Sequence, residues 1–175
     1  MISEQELLQQ ARDLDQHALA EVYDCYSPRL YRYAYRLLGD ACMAEDCVAE
    51  TFSRFLQSLR AGRGPHDHLQ SYLFRTAHNF IVDHYRRIPA ETLKDEFPDH
   101  NDVETDANSK LRQQRIRIAI QTLSGDQQQV IALKFLENWD NEEIARVLRK
   151  PVGAVKSLQH RALVNLQKLL STEEM

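Results

Sequence analysis

Two stretches of this chain carry side chains whose types and spacing suit hydrogen bonding to nucleic acid. In NEEIARVLRKPVGAVKSLQHRAL, residues 141–163, a rotation of 100° per residue along the second helix gathers Val155, Leu158, Ala162, Leu166 and Leu169 in one arc. Gly153, Ser157, His160 and Val164 fall opposite, with Lys156 and Arg161 on the flanks. Hydrogen-bonding groups near the start of an outer helix face can read base edges, and flanking cations suit phosphates. In SYLFRTAHNFIVDHYRR, residues 71–87, Arg75, His78 and Asn79 stand at i, i+3 and i+4 and share a face; Arg86 and Arg87 close the segment. The arginines suit phosphates, while the Asn79 amide offers a donor and an acceptor to an unpaired base. A third group, His66, Asp67, His68, His78, Asp83 and His84, holds the residue types of a metal-dependent hydrolase. Adjacent His-Asp pairs occur by chance, and His78 and His84 fall on helix faces. The expectation is a binding protein rather than an enzyme, with no catalytic residue, metal or cofactor.

Helices must position these groups. Leu30, Ala34, Leu37 and Leu38 share one face, as do Val48, Phe52, Phe55, Leu56 and Leu59, and again Leu69, Leu73, Ala77, Phe80 and Ile81. Ser27-Pro28 reads as a capping hydroxyl before a proline at the first helical position, with Gly39 ending that helix. Capping boxes are expected at Asp67 with Gln70, Ser124 with Gln127 and Asp140 with Glu143. The last of these opens a short helix containing Ile144, Ala145 and Leu148; Arg149-Lys150-Pro151 interrupts it, and a final helix runs from about Val152 to Leu170. A short helix, a tight turn and a longer helix form a helix-turn-helix, whose second member projects into a major groove. The expected fold is all-α: a helical bundle over 1–88, a flexible acidic linker over 89–109 and a helix-turn-helix domain over 110–175. The linker reading rests on two prolines, seven acids and few apolar residues, too little to offset ordering entropy.

The net charge of −4 is wrong for a DNA binder until it is divided along the chain. Residues 1–60 carry six Lys/Arg against ten Asp/Glu, net −4, and residues 61–88 carry four against two, net +2. Residues 89–109 carry one against seven, net −6, and residues 110–175 carry eleven against seven, net +4. Nucleic-acid contact therefore belongs to the second and fourth blocks. Cys25, Cys42 and Cys47 are odd in number and lack a C-x-x-C pair, so reduced, buried or half-buried thiols are expected. No apolar run approaches the ~20 residues that cross a bilayer, and the polar start carries no signal peptide; the expected location is cytoplasmic.

With these segments in place, the chain resembles the bacterial extracytoplasmic-function (ECF) sigma factors from about Ala18 to Leu170. AEDCVAETFSRF is similar to the family's helix that binds core RNA polymerase, SYLFRTAHNFIVDHYRR to the segment that opens and reads the minus-ten promoter element, and LSGDQQQVIALKFLENWDNEEIARVL with VGAVKSLQHRAL to the domain that reads the minus-thirty-five element. The resemblance implies core-polymerase contacts at Glu45, Asp46, Glu50, Thr51 and Phe52, although the phase of Phe52 with Val48 and Phe55 turns it toward its own bundle. It implies minus-ten contacts at Arg63, Arg75, His78, Asn79, Arg86 and Arg87, with the loop Ala61–Asp67 forming part of a base pocket. Minus-thirty-five contacts fall on Lys134, Asn141, Glu142, Gly153, Lys156, Ser157, His160 and Arg161. Core polymerase, promoter DNA and an anti-sigma factor are the partners implied. Three departures stand out: Ala49 replaces a usual glutamine, Arg149 replaces a glycine in the turn, and Leu158-Gln159 replaces Arg-Leu. The alternative is a stand-alone helix-turn-helix regulator, which leaves AEDCVAETF and SYLFRTAHNF unexplained.

Overall fold

The computed structural model describes residues 2–87 and 107–172, and every regular element among them is helical. Helices α1 (Glu4–Arg12), α2 (Gln16–Leu38), α3 (Ala41–Arg60) and α4 (Leu69–Arg87) form the N-terminal bundle. The C-terminal half comprises α5 (Ala107–Gln121), α6 (Gly125–Ile131), a π-helical turn (Ala132–Leu136), α7 (Asn141–Leu148) and α8 (Val152–Thr172). The expected linker lies outside the described residues except for Ala107, Asn108 and Ser109, which already belong to α5. No helix among the described residues is long and apolar enough to cross a membrane.

Local signals explain most of the boundaries. Asp40 accepts from the Met43 N–H at the start of α3, and Gly39 ends α2 with a left-handed φ of 70°. Asp140 and Glu143 form the full reciprocal box on α7, whereas at α6 only the Ser124 half is made. Two expected starts are corrected. Helix α2 begins at Gln16 and runs through Ser27-Pro28, although Pro28 has no N–H for the Asp24 carbonyl and costs about 3 kcal/mol. Burial of Val22 and Tyr26 before it and Leu30 and Tyr33 after it, each contributing roughly 1.5–3 kcal/mol, outweighs that cost. At α4 the Asp67–Gln70 box is absent. His68 takes a left-handed φ of 49°, and the Gln70 amide oxygen accepts instead from Arg29, 3.1 Å away.

The two halves share one continuous apolar cluster. Leu8, Leu30, Tyr33, Phe55 and Leu73 fill the bundle; Val130, Leu133, Ile144 and Val155 fill the C-terminal half. Between them Phe74 of α4 meets Trp139 edge-on, with ring centroids 4.9 Å apart. Around this apolar seam, arginines sit on helix ends, where unpaired carbonyls carry partial negative charge. Arg75 donates through Nε to Val147 O (2.7 Å) and through a terminal nitrogen to Arg146 O (3.0 Å), closing the last turn of α7. Arg36 donates to Leu136 O at the end of the π-helical turn and pairs with Glu137 at 3.2 Å. In the reverse sense, Arg117 donates to Arg36 O near the end of α2.

The thiols divide differently from expectation. Cys47 is buried, its thiol pushed up to about 12 by loss of water, but Cys25 and Cys42 are exposed on the outer surfaces of α2 and α3.

Candidate nucleic-acid interface

On α8, burial follows the expected arc for its first three members. Val155, Leu158 and Ala162 are buried against α6 and α7, while Leu169 is 38% exposed because the helix outruns its partners. Gly153, Lys156, Ser157, His160 and Arg161 are all exposed on the outer side. The Ser157 hydroxyl donates to Gly153 O at 3.1 Å and leaves its lone pairs outward. Glu142 is exposed, while Lys134 is half-buried. Asn141 is half-buried, and its amide oxygen accepts from Gln159 at 2.7 Å, which fastens α7 to α8. The Leu158-Gln159 departure thus has a structural role, with Leu158 in the core and Gln159 tying the two helices. Arg149 caps α7 with a left-handed φ of 53°, a conformation that costs a side-chain-bearing residue about 1 kcal/mol.

The six residues expected at the minus-ten element separate into three groups. Arg63 and Asn79 line one polar pocket of about 380 Å³ between α3 and α4, together with Arg54, Ser58, Tyr72 and Thr76. The phenol of Tyr72 is fixed at 2.9 Å from the Ser58 hydroxyl, and the Thr76 hydroxyl donates to Tyr72 O. Donors, acceptors and an aromatic ring at the wall suit a planar base. The sequence carried a usable signal, since Tyr72, Thr76 and Asn79 lie at i, i+4 and i+7. Arg86 and Arg87 are exposed at the end of α4, beside no acid that pairs with them among the described residues.

Arg75 and His78 are covered. His78 is 3% exposed and joins the two halves: its Nδ1 lies 2.8 Å from the Tyr33 hydroxyl and its Nε2 3.0 Å from Gly125 O. A neutral ring that accepts from Tyr33 and donates to Gly125 satisfies both contacts. Burial pushes the imidazole down to about 4, against the upward pull of Gly125 O and Asp126. The assignment of His78 to a DNA face is therefore corrected, because both ring nitrogens are spent inside the protein. For Arg75, burial and then the neighbouring Arg149 cation push the guanidinium below its ordinary value. Arg63, Arg75, Arg146 and Arg149 nevertheless face one open cleft of about 430 Å³. Its loop wall is held from α1, where Arg12 donates to Pro65 O at 3.1 Å and touches His66. Among the described residues, no three His, Cys, Asp or Glu side chains come together as a metal site.

The α2–α3 face supplies a second type of surface. Glu45 and Asp46 are exposed, and Glu50 pairs with Arg54 at 2.7 Å. Thr51 is fully buried and donates its hydroxyl to Cys47 O, so its expected outward contact is corrected. Phe52 is 8% exposed and packs at 4.8 Å on Tyr23, in keeping with its helical phase. Beside the acids runs an apolar groove of about 430 Å³ lined by Tyr23, Pro28, Tyr31, Glu45, Val48 and Ala49. Its aromatic wall was missed because Tyr23 and Tyr31 fall within the same helical run that supplies the core.

Two family descriptions match the chain, Sigma-70 region 2 over residues 22–88 and Sigma-70, region 4 over residues 113–166. The chain is 31% identical to the ECF RNA polymerase sigma factor SigL of Mycobacterium tuberculosis over 147 residues, covering 81% of this chain and 82% of SigL. It is 33% identical to the ECF RNA polymerase sigma factor BldN of Streptomyces coelicolor over 171 residues, covering 94% of this chain but 65% of BldN. Among solved structures, CnrH in complex with the cytosolic domain of CnrY has the same fold (TM-score 0.72, 23% identity, 97% of each chain). So does the sigma factor RpoE in complex with the anti-sigma factor NepR from Bartonella quintana (TM-score 0.59, 23% identity, 87% of this chain and 96% of that one).

Proposed function

Because the chain belongs to the ECF RNA polymerase sigma factors, we propose that it binds core RNA polymerase and directs promoter-specific transcription initiation. The observation that carries this reading is the pairing, in one chain, of a region-2 bundle holding a base-sized polar pocket with a helix-turn-helix whose reading face is open. A stand-alone regulator would have use for the second alone.

The two surfaces of the bundle divide the work. The α2–α3 groove, with Tyr23 and Tyr31 beside Glu45 and Asp46, docks a polymerase surface that is apolar at its centre and basic at its rim. The α3–α4 pocket receives a base drawn out of the melted strand: Asn79 meets its hydrogen-bonding edge, Tyr72 its face, and Arg63 with Arg54 the adjoining phosphates. Lys156, Ser157, His160 and Arg161 enter the major groove of the upstream element. The protein makes and breaks no covalent bond in this role, and it works in the cytoplasm where polymerase is. An anti-sigma factor is the partner class we assign to its regulation, since RpoE, which shares the fold, is seen in complex with one.

Run-off transcription with purified core polymerase on a pool of genomic fragments tests the reading. Discrete transcripts that require this chain support it. Specific duplex binding by the free chain, with no core association, would favour the stand-alone regulator.

A further inference from the structure

We propose that the cleft between the α3–α4 loop and the end of α7 is a binding site for a small oligophosphate anion, the group that nucleoside triphosphates carry. The site does not depend on the promoter reading. Arg63 and Arg75 from the bundle and Arg146 and Arg149 from the C-terminal half converge on a volume of about 430 Å³. Asp67 is the single acid in the lining, so with imidazoles counted as neutral the walls carry four positive charges against one negative, net +3. None of Arg63, Arg146 and Arg149 pairs with an acid among the described residues. A guanidinium does not shed its proton to relieve such crowding. Burial and then the Arg149 cation already disfavour the charge on Arg75. The countercharge is left to an anion from outside.

The donors suit a run of phosphates. Arg75 spends two of its five N–H groups on Val147 O and Arg146 O, which leaves three. Arg146 and Arg149 are exposed, one in the last turn of α7 and the other in its left-handed cap. Arg63 belongs to the loop wall, which Arg12 fixes through Pro65 O. A triphosphate carries several negative charges in a compact group and accepts from several guanidiniums at once. A carboxylate or a single sulfate leaves part of the charge unmatched. Tyr72, His66 and His68 line the same cleft and offer flat surfaces to a base attached to the phosphates. Arg63 and Tyr72 also line the neighbouring pocket that holds Asn79, so a bound anion competes with strand phosphates for Arg63. Because its donors come from both halves, an occupied cleft stabilises the whole chain against unfolding.

Calorimetric titration of the full chain with inorganic triphosphate, ATP and GTP tests this, without divalent metal and with sulfate as the control. Saturable binding of triphosphate at a single site is expected, together with a rise in the thermal midpoint. Tighter binding of ATP or GTP than of inorganic triphosphate supports the proposal and identifies a nucleotide; equal binding supports it with the phosphates alone recognised. Arg146→Gln with Arg149→Gly, at positions assigned to neither promoter nor polymerase, should weaken binding by roughly tenfold or more, because each guanidinium makes charged hydrogen bonds. Arg146→Gln alone, an exposed change that leaves the fold intact, should show part of that loss. Lys156→Ala with Arg161→Ala removes the same charge from α8 and should leave triphosphate binding unchanged. Absence of saturable binding overturns the proposal, as does undiminished binding by the Arg146 and Arg149 variants. Sulfate binding as tightly as triphosphate, or equal losses in both double variants, reduces the cleft to unspecific positive charge and overturns it too. A chain that holds a single-stranded DNA 20-mer through Arg146 and Arg149 but takes no triphosphate makes the cleft a strand contact and refutes the small-anion site.

Discussion

Replacing His78 with Gln should remove an acid-sensitive part of the protein's stability. In the folded chain the ring is 3% exposed, wedged between Tyr33 and Gly125 O, and its pKa is held down at about 4 against an ordinary 6.5. Between these values the unfolded chain binds a proton that the folded chain refuses. The contribution is therefore complete above pH 6.5 and is lost as pH falls toward 4. A separation of about 2.5 units at 1.36 kcal/mol each gives roughly 3 kcal/mol. Gln keeps a donor for Gly125 O and an acceptor for the Tyr33 hydroxyl but does not titrate. Urea unfolding at several values between pH 7.5 and 4 should show His78→Gln somewhat less stable at neutral pH. On acidification it should lose about 3 kcal/mol less than the parent chain. Carboxylates titrate in both proteins and cancel in the difference. Parallel losses in the two proteins would mean that His78 is not a buried neutral ring, and the argument for its role between the halves would fail with it.

Arg149→Gly should stabilise the chain by about 1 kcal/mol by relieving the positive φ, raising the thermal midpoint by roughly 2–4 °C; an unchanged or lower midpoint would show that Arg149 makes a compensating contact. Lys156→Ala with Arg161→Ala should weaken promoter-dependent transcription and lower the salt dependence of promoter binding by about one unit of slope per lost phosphate contact, with core association intact. Undiminished promoter output would remove the assigned face of α8. Asp46→Ala with Glu50→Ala should reduce holoenzyme formation by roughly tenfold, mostly through slower association, because exposed Asp46 and half-buried Glu50, which pairs with Arg54, act through complementary charge. Normal assembly kinetics would take those acids out of the contact.

The helix-turn-helix was legible in the sequence because its signals are local. Asp140 and Glu143 cap α7 within four residues of one another, and the apolar arc of α8 predicts the burial of Val155, Leu158 and Ala162. Spacing was enough to place Arg75, His78 and Asn79 near one face of α4, yet it could not say what covers that face. Asn79 is exposed, whereas His78 is buried by α6 from more than forty residues away. Pro28 failed as a helix start for a related reason. A local propensity of a few kcal/mol yields to a row of buried side chains contributed by other helices. Thr51 looked outward by family position, but its hydroxyl had a carbonyl one turn back, and that pairing lets it sit in the core.

The contact between Arg75 and the end of α7 joins two parts of a single covalent chain, and this sets how it responds to concentration. A contact made within one chain does not depend on concentration, so dilution does not release it and overproduction of the protein does not strengthen it. Variants at Glu137 or Gly125, remote from the assigned strand pocket, would loosen the seam by an amount that the protein's own concentration does not change.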